Sequence, residues 1–395
     1  MGFDAMTAHW DFAYGPKRLL ELGQQLTYPI LGINVFHKNA STNVFPPYQI
    51  LERAGLRIGI IGIASNIVAK TMPLSFSKGV YFTTGLQELP GMISYLMHTE
   101  NVDLVFLLSH LGIPQTHKLL SEVPGIDVCL CAHTHDRIRH PLLVNDTIMI
   151  ESGSHGAFLG ELLLTINNGR IVAYEHTLTE VSESIAPHPV MQSLVEQALD
   201  PFRSKLAEVV GQTLHALDRS TCLEATMDNL LLQSMLETTG ADMAFSNGWR
   251  YGAPIAPGPI TMGQLYNITP MDPVISLVEL TGTEIWQMLE DNLEKTFSID
   301  AYQQVGGYVK RTAGLRVYFK MENPKGARIQ SLFVGAEPID PYHSYTTAFV
   351  TEQAVPQCLG TNRRDTDTHA VDAMRAYLHR HSPINLSLEG TFISV

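Results

Sequence analysis

Basic residues are scarce in this chain of 395 residues, and charge of either sign is thin. Lys and Arg total 26 against 39 Asp and Glu, a formal net charge of −13. Neutralising nucleic-acid phosphates takes a basic surface, so a nucleic-acid partner is excluded. Charged residues are 16% of the chain and hydrophobic ones 45%. Such a composition excludes long disordered tails and supplies a sizeable core. Four cysteines are too few for a disulfide scaffold at this length. Long apolar runs are missing as well: residues 56–64 and 102–108 reach about half of the roughly 20 residues a membrane helix needs. Residues 1–10 have no basic stretch followed by an apolar core, so no signal peptide is expected. The balance is that of a soluble globular protein, long enough for two domains.

What is present is an alternation of short apolar strands and helical segments through residue 179. Residues 57–64, 102–109, 128–131 and 147–150 read as strands. Continuous runs such as LRIGIIGIA and DLVFLLS fit strands covered on both faces, as in an α/β sandwich. Residues 159–166 and 170–178, joined by Asn-Asn-Gly, read as a hairpin. Two prolines within 182–189 mark a break. Beyond it, Val190, Leu194, Ala198, Phe202, Leu206 and Val209 recur at near-helical spacing, which predicts one connector helix interrupted only by Pro201. The second half predicts helices over 228–238, 282–297 and 368–381, and strands over 315–321 and 345–351. The expected organisation is a first domain over 1–181, a connector over 182–210 and a second domain over 211–395.

Histidines collect at the carboxyl ends of the predicted strands. His110 closes DLVFLLS, His133 and His135 close IDVCLCA, and His9 lies in the loop over residues 7–15. Sites in open α/β sheets form beyond those ends, and imidazoles two apart in HTHD can serve neighbouring metals. A rival zinc site from Cys129, Cys131, His133 and His135 places successive members about 6.7 Å apart in a strand. Tetrahedral zinc needs its ligands nearer roughly 4 Å from one another, so the cysteines read as core. Gly59 and Gly62 do not complete G-x-G-x-x-G, and Ser154 lacks the G-x-S-x-G elbow; a dehydrogenase and a serine esterase are disfavoured. In the second half, FSNGWRYG and YQQVGGYVKR pair glycines with arginine and aromatics. Arginine forks hold phosphate or sulfate oxygens, and aromatic faces stack a nucleobase. The structural alternative is a turn with Trp249 and Tyr308 covering the edge of a core.

Taken in order, SHLG, GIDVCLCAHTHDR and ESGSHGAFLG resemble the metallophosphoesterase domain of 5'-nucleotidases. FSNGWRYGAPIAPGPIT, LTGTEIWQMLEDNLE and YQQVGGYVKR resemble their substrate-binding domain. The resemblance covers nearly the whole chain and implies a four-layer metallophosphoesterase sandwich, N-terminally truncated, followed by an α+β 5'-nucleotidase C-terminal domain. At AHWDFAYG most of the family has GNH(E/D); here His9 stands for its metal-binding Asn and Trp10 for its catalytic His. That exchange, and YQQVGG, resemble the thiosulfohydrolase branch of sulfur oxidation, although GGYVKR puts Tyr308 where that branch has Asp.

The resemblance implies a hydrolase of phosphate esters, nucleotides first, with two divalent ions (manganese or zinc) in the complete protein. Its ligands would be His9, His110 and His133 for one metal and His135 for the other. Arg250, Arg311, Trp249 and Tyr308 would hold a small anionic substrate, a nucleotide or a sulfur oxyanion. The family's D-x-H motif and a further upstream Asp have no counterpart here, although Asp4 and Asp11 lie nearby in sequence. A truncated chain or gene fragment, binding at most one metal, is therefore expected. Because Trp10 donates no proton, the leaving group would draw one from water or from His155, or need none, as a thiolate would. A thiosulfohydrolase and an inactive binding remnant are the alternatives, and the family carries over a periplasmic setting.

Overall fold

The continuous apolar runs of the first half form the centre of a six-stranded sheet. Its order is Tyr48–Arg53, Leu56–Ile63, Leu104–Ser109, Val128–Cys131, Thr147–Ile150 and Leu142–Val144. The middle four strands are parallel and the two edge strands antiparallel. Ile63 pairs with Ser109, and Ser109 with Cys131, so three neighbouring strands end level and deliver their loops to one edge. Helices Leu89–His98 and Ile113–Glu122 cover this sheet through Leu89, Ile93, Leu96, Leu119 and Leu120. A second apolar cluster, with Ala8, Phe12, Phe45, Val68 and Phe76, anchors the amino-terminal segment.

This computed structural model describes residues 2–248, 252–306 and 308–395. The chain forms two units: Met1–Ile185 with Asp300–Val305, and Ala186–Ile299 with Gly306–Val395. In the first, strands Phe158–Asn167 and Arg170–Glu180 make the expected hairpin. Its turn residues Asn168 and Gly169 both have positive φ, 49° and 70°, as a two-residue turn matched to strand twist requires. The segment Asp300–Val305 packs on helix Ile113–Glu122: Lys118 pairs with Asp300 at 2.7 Å, and Tyr302 Oη donates to Glu122 at 2.8 Å.

The connector departs from expectation. Pro189–Leu199 is helical, Asp200–Phe202 is a 3-10 turn, and Arg203–Leu206 is a separate short helix. Pro201 cannot donate to the preceding turn and its ring crowds that turn, which divides the run into pieces. Val209, assigned to the same periodic face, instead opens strand Val209–Thr213.

The second unit contains a five-stranded mixed sheet in the order Arg311–Ala313, Met243–Ser246, Ser344–Phe349, Val274–Thr281 and Thr361–His369. Helices Thr226–Thr239, Gly282–Phe297 and Ala370–His381 accompany it. The Thr281 side chain accepts from the Glu284 amide, and the Glu284 side chain accepts from the Thr281 amide. This capping box explains why LTGTEI starts a helix at that position. Two apolar clusters form the core of this unit, one around Leu231, Leu265 and Met374 and the other around Phe245, Leu289 and Phe319.

Candidate metal centre

Three strand ends converge on one group of imidazoles. The His110 amide donates to Ile63 O at 3.0 Å, and the Ala132 amide to Ser109 O at 2.9 Å. The ladder thus runs one residue past each strand and releases His110 and His133 at the same edge. The Ser65 amide donates to Ala8 O at 3.1 Å, which ties the loop of His9 to the end of the adjacent strand. Phe12, fully buried against Phe45 and Phe82, fixes the 3-10 turn that follows. Ring centroids lie 4.8 Å apart for His9–His110 and His9–His133, and 5.6 Å for His110–His133. One donor nitrogen from each ring lies within 4.8 Å of the other two.

Those donors suit a divalent ion in kind: three imidazoles offer lone pairs around one centre. A small inward shift from separations of up to 4.8 Å would bring them to the roughly 4 Å that one ion requires, with a further coordination position left open. Burial pulls His110 down to about 4, with the Asp11 carboxylate opposing. His110 is consequently a neutral lone-pair donor at physiological pH. Asp11 also accepts from the His9 amide at 3.2 Å. Among the described residues this is the one such group of three or more His, Cys, Asp or Glu side chains.

His135 is not one of that group of three. Its ring meets His155 edge-on at 5.5 Å, and both residues are exposed. Non-glycine residues seldom take positive φ, yet His133 has φ 97°, His135 φ 63° and His155 φ 59°. The chain therefore turns at His133 and His135 and does not continue as a strand. Gly112, with φ 84°, lies under this turn: a Cβ there would meet Thr134 Cγ2 at 2.9 Å and His133 Cδ2 at 3.2 Å. Trp10 is 39% exposed, with its ring edge-on to Phe76. Cys129 and Cys131 are buried, and burial pushes both thiols up, in keeping with core packing.

Arg311 differs from its expected place on substrate. Its side chain is 1% exposed; Nε donates to Asp228 at 3.1 Å, Nη1 to Cys222 O at 2.8 Å and Nη2 to Thr221 O at 2.6 Å. Arg219 donates to the other oxygen of the same carboxylate at 3.0 Å. The fork is taken up inside the second unit because the fully buried Asp228 carboxylate requires compensating charge. Tyr308 packs over the FSNG turn, where a Cβ on Gly248 would meet Tyr308 Cδ2 at 2.7 Å. Trp249, Arg250 and Tyr251 lie outside the described residues.

The sequence alone assigns no role to two acids, although Glu151 opens the ESGSHGAFLG segment. Asp228 interrupts an apolar helix, and Glu151 follows the wholly buried strand Thr147–Ile150. A lone acid against such a run is the available signal, since a buried carboxylate must have partners. Burial pushes the Glu151 carboxyl up, while bonds from Thr134 and the Asp136 amide pull it back.

Residues 209–351 match the family model of the 5'-nucleotidase C-terminal domain. The trifunctional nucleotide phosphoesterase YfkN of Bacillus subtilis is 26% identical over 83% of this chain, and the match spans 25% of that protein. The sulfate thiohydrolase SoxB of Thermus thermophilus superposes with a TM-score of 0.93 at 26% identity, covering 100% of this chain and 73% of SoxB. A 5'-nucleotidase precursor from the same species gives 0.86 at 22% identity, covering 100% and 84%. The chain is thus similar to the 5'-nucleotidase and metallophosphoesterase superfamily along its whole length. It has the fold of that superfamily, with a metallophosphoesterase unit carrying the three imidazoles and a 5'-nucleotidase C-terminal unit. A metallophosphoesterase fold implies divalent metal, in keeping with the donor set at His9, His110 and His133.

Proposed function

We propose that this protein is a metal-dependent hydrolase of phosphate esters, with nucleotides as its substrate class. The observation that carries the reading is the convergence of His9, His110 and His133 at the carboxyl ends of parallel strands. These three would hold a divalent ion, manganese or zinc, which supplies positive charge for the ester's oxygens. His135 is proposed to serve a second ion in the complete protein, with His155 beside it as the candidate proton donor. Residues 1–181 form the catalytic domain in this proposal and 211–395 the substrate-binding domain. Arg250, Trp249 and Tyr308 are the proposed contacts to the anionic substrate; Arg311 would support them by holding the fold around Asp228. A periplasmic setting is part of the same family-based proposal.

Trp10 favours a second reading. Indole offers no acid for an alkoxide leaving group, whereas a thiolate leaves without protonation. That supports a sulfur-oxyanion substrate, as does the similarity to SoxB. Purified protein loaded with manganese or zinc should be assayed on nucleoside monophosphates, an aryl phosphate and a thiosulfonate. Turnover of the phosphates, abolished in His110→Ala, supports the main reading; turnover confined to the thiosulfonate replaces it with the second. Metal and nucleotide binding without turnover of any substrate would identify a binding remnant.

A further inference from the structure

The turn that presents His133 is held from beneath by one buried carboxylate. Glu151, 1% exposed, follows strand Thr147–Ile150. Its Oε2 accepts from Thr134 Oγ1 at 2.9 Å, and its Oε1 accepts from the Asp136 amide at 3.0 Å. Its own carbonyl accepts from the Ile138 amide at 3.1 Å. Thr134 Oγ1 in turn accepts from the Ile113 amide at 3.2 Å, at the start of helix Ile113–Glu122. The two oxygens therefore grip the segment on both sides of His135, directly after His133. Both histidines have positive φ, a backbone state that persists only where surrounding contacts over-determine it.

We propose that Glu151 is a positioning residue for the metal centre: its carboxylate, acting through Thr134 and the Asp136 amide, keeps His133 converged on His9 and His110. None of the bonds described above runs from Glu151 to the three imidazoles. Its effect is on where one ligand sits. Removing either grip lets the turn relax toward ordinary backbone angles, and His133 leaves the common point. The inference rests on the metal reading of the three histidines and names a residue outside the ligand set.

The test is cobalt(II) titration of the full chain, followed by visible absorption, with circular dichroism and thermal unfolding measured alongside. Glu151→Gln replaces one acceptor with a donor, and Thr134→Val removes only the hydroxyl. Groups that hydrogen-bond around metal ligands typically control affinity by about 10–100-fold. Each variant should retain its fold below the unfolding temperature, bind cobalt about tenfold or more weakly, and alter the absorption envelope. Glu224→Gln is the control for generic destabilisation. Glu224 is also buried and accepts from the amides of Glu389, Gly390 and Thr391, but it lies in the second unit. That variant should lose thermal stability without weakening cobalt binding. Unchanged affinity and spectrum in both folded first-unit variants would overturn the role of Glu151 alone. A parent chain that binds no cobalt would overturn the metal reading and this inference with it. If Glu151→Gln fails to fold, Thr134→Val decides the matter by the same two readouts.

Discussion

The two units use buried polarity in opposite ways. In the first, polar side chains gather where parallel strands end, and three imidazoles face one another. In the second, Asp228 lies inside with Arg219 and Arg311, each side chain at most 2% exposed. The first arrangement gathers lone pairs around a shared point; the second sets donors and acceptors against each other. Buried charge is therefore a poor guide to a binding site until its partners are known. Arg311 is the instructive case, because a fork suited to phosphate is satisfied by a carboxylate and two carbonyls.

The largest expected effect follows from that contrast. Asp228→Ala leaves two guanidinium groups without their shared carboxylate and should cost about 3–5 kcal/mol, the range for breaking a buried pair. Denaturant unfolding would measure it. Cobalt affinity of the first unit should stay the same. Arg311→Ala should likewise lower stability without changing cobalt affinity; a variant of unchanged stability would break the comparison by returning Arg311 to the substrate.

Acid should expose the histidine cluster next. The folded state holds His110 near 4, below the ordinary value of about 6.5. Above 6.5 both folded and unfolded forms are neutral there. As pH falls from 6.5 to 4 the unfolded chain takes up a proton that the folded chain refuses, so stability is lost. Below 4 the loss is complete, about 3 kcal/mol for the metal-free protein. His110→Leu should flatten that part of the pH profile.

Lys310 gives the smallest effect. Burial pulls its amine down to about 7, with Lys295 adding to the shift, and Nζ donates to Gln353 O. A lysine depressed below its unfolded value penalises folding in full below pH 7, and the penalty is relieved between 7 and about 10.4. Lys310→Met removes the penalty, but loss of the bond to Gln353 O offsets much of the gain. The unfolding temperature should rise by roughly 2–4 °C at neutral pH, as about 1 kcal/mol produces in a unit of this size. The rise should shrink toward pH 10.

Much of this architecture is legible in the residues. Val128–Cys131 and Thr147–Ile150 form strands at the predicted bounds, and Gly282–Phe297 is the predicted helix, because apolar runs, turn residues and caps act locally. The convergence of His110 and His133 is legible from their positions after strands, since parallel register aligns strand ends. His9 follows no strand, and only the family resemblance places it with them. The turn geometry of HTHD is not legible: it combines positive φ at His133 and His135 with bonds from Thr134 and the Asp136 amide to Glu151, which is distant in sequence. The break at Pro201 shows local chemistry prevailing over hydrophobic periodicity. The burial of Arg311 follows only once Asp228, 83 residues earlier, is known to sit beside it.

The most direct test of the central claim is anomalous scattering at the zinc edge from crystals of the protein grown with zinc. One strong peak should appear among His9, His110 and His133, at bonding distances of about 2.0–2.1 Å from a nitrogen of each. A difference map with no ion there, or zinc held at His135 and His155 with the three imidazoles unligated, would contradict the account.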